Sequence, residues 1–131
     1  MPTRSSFDYA VLRVVPHVER EEFINAGVIV FCRTKRYLGA HVALDEKRLA
    51  ALAPDVAPAE VQQHLDELLS ICRGDPAGGP ISLLPPAERF HWLVTPRSTV
   101  IQSSPVHSGL SDDPEAMLEH LFETMVLLPV R

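Results

Sequence analysis

The sequence predicts an α+β fold, an antiparallel sheet of four or five strands with two main helices packed on one face. Three observations predict it. The run Val28-Ile29-Val30-Phe31-Cys32 is apolar at every position, so a strand there buries both of its sides and belongs at the centre of a sheet. Two stripes, Val61, Leu65, Leu68, Leu69 and Cys72, then Leu118, Leu121, Phe122 and Met125, recur at spacings of three and four, and each makes one apolar helix face. Strict strand-helix alternation is missing, which favours antiparallel pairing over a doubly wound parallel sheet.

Met1 to Ser6 is polar and is expected to fray. Phe7 to Val15, rich in aromatic and β-branched residues, reads as the first strand, and Pro16 ends it. Arg13 falls on the strand face that carries Phe7, Tyr9, Val11 and Val15. A charge on that face calls for a partner, and Glu19, Glu21 and Glu22 in the next connection supply carboxylates for a bidentate pair. Asn25 and Gly27 both enter the left-handed backbone region cheaply, so a bulge or tight entry is expected where the central strand begins. After the polar break Arg33-Thr34-Lys35-Arg36, Tyr37 to Ala43 returns as the second arm of a hairpin.

Asp45 is placed to cap a short helix from Glu46 to Leu52. Pro58 opens a longer helix that runs to Arg73 and stops at Gly74. Residues 74–88 hold three glycines and four prolines around Ile81-Ser82-Leu83-Leu84 and read as a loop with a short apolar anchor. Phe90 to Val94 is expected to be a third strand and Thr99 to Ser103 a fourth, with Val106 and His107 as a ragged edge. Asp113 caps a final helix that begins at Pro114 and is closed by Pro129.

A length of 131 residues is about one domain, expected to span 1–131 with the 74–88 loop inside it. Apolar residues make up 46% of the chain and charged residues 22%, values of an ordinary globular core. With 17 acidic and 12 basic residues the net charge is -5, which gives phosphate backbones and anionic membranes no long-range attraction. The local group Arg33, Lys35, Arg36, Lys47 and Arg48 reads as a solvated turn, so no nucleic-acid partner is expected. The start of the chain lacks a signal-peptide pattern and no apolar run approaches about 18 residues, so a cytoplasmic location without membrane association is expected. Cys32 and Cys72 form no metal or redox spacing and are expected to be reduced and packed.

Chemical motifs are sparse. Gly-x-Ser-x-Gly is absent, the six histidines are scattered singly, and Gly78-Gly79-Pro80 lacks the Lys-Ser/Thr ending of a phosphate loop. Neither a metal nor a cofactor is expected. The candidate site, functional or structural, is therefore the polar corner of Arg13, Pro16, Glu22, Asn25 and Gly27. As chemistry it offers acid-base groups to a small enzyme that would also use His91 or His107. As architecture it is an ion-paired turn.

Through Tyr9-Ala10-Val11-Leu12-Arg13-Val14-Val15-Pro16, Glu22-Phe23-Ile24-Asn25-Ala26-Gly27-Val28-Ile29-Val30 and Asp112-Asp113-Pro114-Glu115, the chain resembles the bacterial family called domain of unknown function 3037. The resemblance spans nearly the whole chain and is most specific at Arg-x-x-Pro followed by Glu-Phe-x-Asn-x-Gly-Val. It implies a small stand-alone domain and transfers no catalytic or ligand residue. It also implies company, since such proteins are often encoded beside HipA-like kinase-fold proteins. The leading expectation is a non-catalytic binding or accessory module with a protein partner, engaged through a sheet edge or the 74–88 loop.

Overall fold

The computed structural model describes residues 4–97 and 99–128. Strand β1 (Ser5–Val14) pairs on one side with β2 (Ile24–Cys32), which pairs in turn with β3 (Tyr37–Val42). The other side of β1 is shared by β4 (Ile101–Ser103), which meets Leu12 to Val14, and β5 (His107–Ser111), which meets Ser5 to Tyr9. All four pairings are antiparallel, so the sheet has five strands and the expected α+β character. Ser5 and Ser6 do not fray, because β5 gives their backbone a partner in Ser111 and Leu110.

Every residue of β2 except Asn25 is buried, as a strand between two others with cover on both faces must be. Successive side chains divide between those faces. Val28, Val30 and Cys32, with Phe7, pack on Leu118 and Leu121 of helix α4 (Pro114–Met125). Ile29 and Phe31, with Leu12, pack on Ile71 and Cys72 of α2 (Pro58–Arg73) and on Phe90 and Leu93 of α3 (Pro86–Val94). The short helix α1 (Glu46–Leu52) adds Leu49 to a third cluster with Val14, Ile24, Val61 and Leu65. The two main helices, α2 and α4, thus lie on opposite faces of the sheet rather than sharing one. A one-sided arrangement would have left Val28, Val30 and Cys32 in water, at about 1.5–3 kcal/mol for each large side chain.

Helix ends follow local chemistry. The Asp45 carboxylate accepts from Arg48 N–H at 3.1 Å, and Asp113 accepts from Ala116 N–H at 3.1 Å with Pro114 at the first helical position. Gly74 closes α2 at φ 71°, where a side chain would be strained, and the N–H groups of Gly74 and Asp75 reach back to Ile71 and Ser70. Pro129 lies outside the described residues.

Residues Phe90 to Val94 form no strand; they are the last turn and a half of α3. Strand alternation would bury Phe90, Trp92 and Val94 together. Instead Phe90 and Leu93, three apart, face the sheet, and the Phe90 ring stacks on Phe31 with centroids 5.2 Å apart. The helix begins four residues earlier, with Pro86 at its first position and Glu88 in its first turn, inside what reads as loop sequence.

Candidate functional site

The Asn-x-Gly corner sits where β1 and β2 lose register. Leu12 faces Gly27 and Arg13 faces Asn25, so Ala26 is the extra residue of a β-bulge. The expected bulge is present, and its cause differs from expectation. Among the described residues, positive φ outside glycine occurs at Glu21 (56°) and Arg36 (51°), and neither Asn25 nor Gly27 is left-handed. Glu21 takes that conformation because it closes the one-turn 3-10 helix of residues 18–20, its N–H bonding Val18 O at 3.2 Å.

Each corner residue has a separate partner. A Cβ on Gly27 would stand 2.9 Å from the His41 carbonyl oxygen and 3.0 Å from Val42 Cγ1, so glycine allows β3 to approach. Asn25 Nδ2 donates to Met125 O at 3.1 Å, satisfying one of the carbonyls that the end of α4 leaves open. Glu22 pairs with Arg20, not with Arg13. Arg13 lays its guanidinium on the Phe23 ring, 4.2 Å from the centroid, and its buried Nε has no hydrogen-bond partner among the described residues. The expected Arg13–carboxylate pair is therefore replaced by a cation–π contact. Phe23, next to the carboxylates in sequence, brings a weakly hydrated flat cation and a flat ring together at little desolvation cost. Pro16 is half-buried just past β1, and beyond it His17 reaches Asp55 at 3.1 Å, a hydrogen bond that holds the Asp55 carboxyl below its usual range.

A shallow hollow of about 280 Å³ opens beside Arg13, lined by Val15, Val18, Glu21, Phe23 and Gln102. Glu22, Asn25, His91 and His107 do not line it. His107 faces Tyr9 across the β1–β5 ladder with ring centroids 5.3 Å apart, and His91 is exposed on α3. Of the corner residues only Arg13 lines this hollow, and neither histidine joins it there.

A larger cleft, about 460 Å³, lies on the other face of the sheet. One wall is α2, through His64, Glu67, Leu68 and Ile71, at spacings of three and four; the other is Trp92 of α3; Arg97, Thr99, Val100 and Ile101 form the floor and rim. Arg97 stacks on Trp92 at 4.2 Å, with one guanidinium N–H on Trp92 O and Nε on Thr95 O at 3.4 Å. Burial lowers the Arg97 pKa from its ordinary value. The α3 side of this cleft had no signal in the sequence, because a strand at 90–94 would have put Trp92 on the sheet. The cleft's one legible sign was the placement of His64, Glu67, Leu68 and Ile71 along one side of α2.

Residues 74–88 are held by local hydrogen bonds. Asp75 caps a 3-10 turn at Ala77 N–H (2.9 Å), the buried Ser82 hydroxyl donates to Gly79 O (2.6 Å), and Arg89 donates to Leu84 O (2.6 Å). Ile81 packs on the core, while Leu83 is 70% exposed and Leu84 36%. Cys32 and Cys72 are free thiols, both buried, and burial raises the Cys72 thiol to about 11. Among the described residues no group of three or more His, Cys, Asp or Glu could hold a metal ion, and no helix is long and apolar enough to cross a membrane.

No curated protein and no solved structure matches this chain. A family model described as protein of unknown function (DUF3037) matches residues 9–126, which include the Arg13-to-Gly27 corner, all four helices and the cleft. The chain belongs to that family.

Proposed function

We propose that the chain is a non-catalytic accessory module that binds a protein partner through residues 74–88. The observation that carries the reading is Leu83, the most exposed of the large apolar side chains among the described residues, standing beside Leu84 on a segment that local hydrogen bonds hold in place. A slack loop would lose conformational freedom on binding; a segment already fixed loses little, so two outward leucines become an anchor. Single exposed leucines are ordinary, whereas adjacent ones on an ordered turn favour contact with another apolar surface. Separate structural duties for Glu22, Asn25 and Gly27 also support a binding role over acid-base chemistry at the corner. The resemblance noted from the sequence makes a HipA-like kinase-fold protein the partner to test first. The reading takes the chain as one cytoplasmic unit and, with a net charge of -5, assigns it no nucleic acid.

The test is co-expression of the tagged chain with a HipA-like kinase-fold protein from the same organism, followed by size-exclusion chromatography. A one-to-one complex that Leu83→Asp abolishes and Glu115→Lys, at an exposed position of α4, leaves intact is the expected result. A complex indifferent to Leu83→Asp, or no complex at near-native salt, would overturn the assignment.

A further inference from the structure

We propose that the cleft between α2, α3 and the approach to β4 binds a small monocarboxylate with an apolar body, a site separate from the protein-binding segment. The walls supply the apolar part of the recognition: Leu68, Ile71, Trp92, Val100 and Ile101 surround a space of about 460 Å³, within the roughly 300–1,000 Å³ of small-molecule sites. Arg97 supplies the charge. Its guanidinium is held over the Trp92 ring, 4.2 Å from the centroid, by hydrogen bonds to Trp92 O and Thr95 O, and among the described residues it takes part in no ion pair. Of about five N–H donors on an arginine, one serves Trp92 O and one Thr95 O, which leaves the others for a ligand.

A half-buried cation with a preset orientation and unspent donors gains most from a carboxylate, whose two oxygens match the guanidinium fork. The sign and size of the charge follow from the rim. Glu67 lines the same cleft, 3.8 Å from His64, so a dianion such as a phosphate monoester would meet one fixed cation and one carboxylate. Glu67 repels each negative charge that Arg97 attracts, so one charge is better accommodated than two. Lowering of the Arg97 pKa by burial agrees with a guanidinium short of solvation.

Trp92 is the only tryptophan of the chain and lines the cleft, so its fluorescence reports on the site directly. The full chain would be titrated with 3-phenylpropionate, its neutral amide and phenyl phosphate, with NMR shift mapping of the same samples. Expected are saturation by the carboxylate with a dissociation constant on the order of 1 mM or below, and weakening of about tenfold or more for the amide, the ratio one charge-assisted contact supplies. Shifts should map to Leu68, Ile71 and Val100, and phenyl phosphate should bind more weakly than the carboxylate. Arg97→Gln should erase the preference for carboxylate over amide. Equal binding of acid and amide by the unaltered chain, tighter binding of phenyl phosphate, shifts elsewhere, or no saturation would each overturn the proposal, whether or not Arg97→Gln folds.

Discussion

Replacing Gly27 tests whether the corner is shaped by backbone strain or by close packing. Its φ is not positive, so alanine meets no dihedral penalty there, and the whole cost comes from the added Cβ. That atom would stand 2.9 Å from the His41 carbonyl oxygen, 3.0 Å from Val42 Cγ1 and 3.1 Å from Leu12 Cδ1. Side chains can swing aside, but the carbonyl belongs to β3, whose register runs from Gly27↔Val42 to Cys32↔Tyr37, and moving it loosens the ladder. Overpacking of this kind costs about 1–3 kcal/mol, and the reduced freedom of the unfolded chain returns about 0.4–1 kcal/mol. Gly27→Ala is therefore expected to lose about 1 kcal/mol net, a fall in Tm of about 3–5 °C at this length. Gly27→Val, with two further carbons in the same space, is expected to lose about 3 kcal/mol or more. Urea unfolding followed by circular dichroism measures both, with an unchanged m-value as the sign of an unaltered denatured state. Gly27→Asn separates the mechanisms, since asparagine enters the left-handed region readily and would be tolerated if conformation were the issue. Stability of Gly27→Ala equal to the parent, or of Gly27→Asn well above Gly27→Ala, would refute the packing argument.

Asn25→Ala removes the donor to Met125 O and is expected to cost about 1–2 kcal/mol, with faster amide exchange concentrated in the last turn of α4; uniform exchange along α4 would place the cost elsewhere. Asp113→Ala deprives that helix of its N-cap and is expected to cost about 1 kcal/mol in the same unfolding assay, with Asp113→Ser restoring most of it. Cys72 gives a pH dependence whose sign is fixed: its thiol is raised from 9.0 to about 11 by burial, so between these values the folded chain keeps a proton that the unfolded chain has lost. Stability is then full below pH 9 and falls through pH 11, by on the order of 2 kcal/mol from this group. Tyr37, raised to about 12 by burial and nearby Glu115, Asp113 and Glu119, adds a fall of the same sign at higher pH. Urea midpoints at pH 8 and 10.5 should differ less in Cys72→Ala than in the parent, and equal differences would remove the thiol from the account.

What the sequence made legible was whatever one element decides alone. The apolar run of β2, the caps Asp45 and Asp113, the prolines opening α2 and α4 and the glycine closing α2 are local signals, and each element stands at the residues they mark. The distribution of helices over the sheet was implied by the same run, since Val28 and Ile29 point to opposite sides and both need cover. The helix at 86–94 was hidden because five consecutive aromatic or apolar-flanked residues satisfy a strand pattern, and only the preceding turn, with Pro86 and Glu88, distinguishes a helix.

The candidate sites show a different limit. Arg13 needs a partner on any reading, yet carboxylates nearby in sequence do not decide which group it meets, and the ring of Phe23 takes the place they were expected to fill. Arg97 gave still less away, since its role depends on Trp92 lying five residues back on a helix end, where a strand would have carried the ring elsewhere. Both arginines rest on an aromatic ring, and neither is in an ion pair among the described residues. Their settings then separate them. Beside Arg13 the hollow is about 280 Å³ and holds Glu21, a carboxylate already at hand to offset the cation. Beside Arg97 the space is larger and walled by apolar side chains, and its carboxylate, Glu67, is 60% exposed to solvent. An anion entering from solution therefore gains more at Arg97 than at Arg13, and Arg13→Gln should leave binding of 3-phenylpropionate unchanged where Arg97→Gln abolishes its preference over the amide.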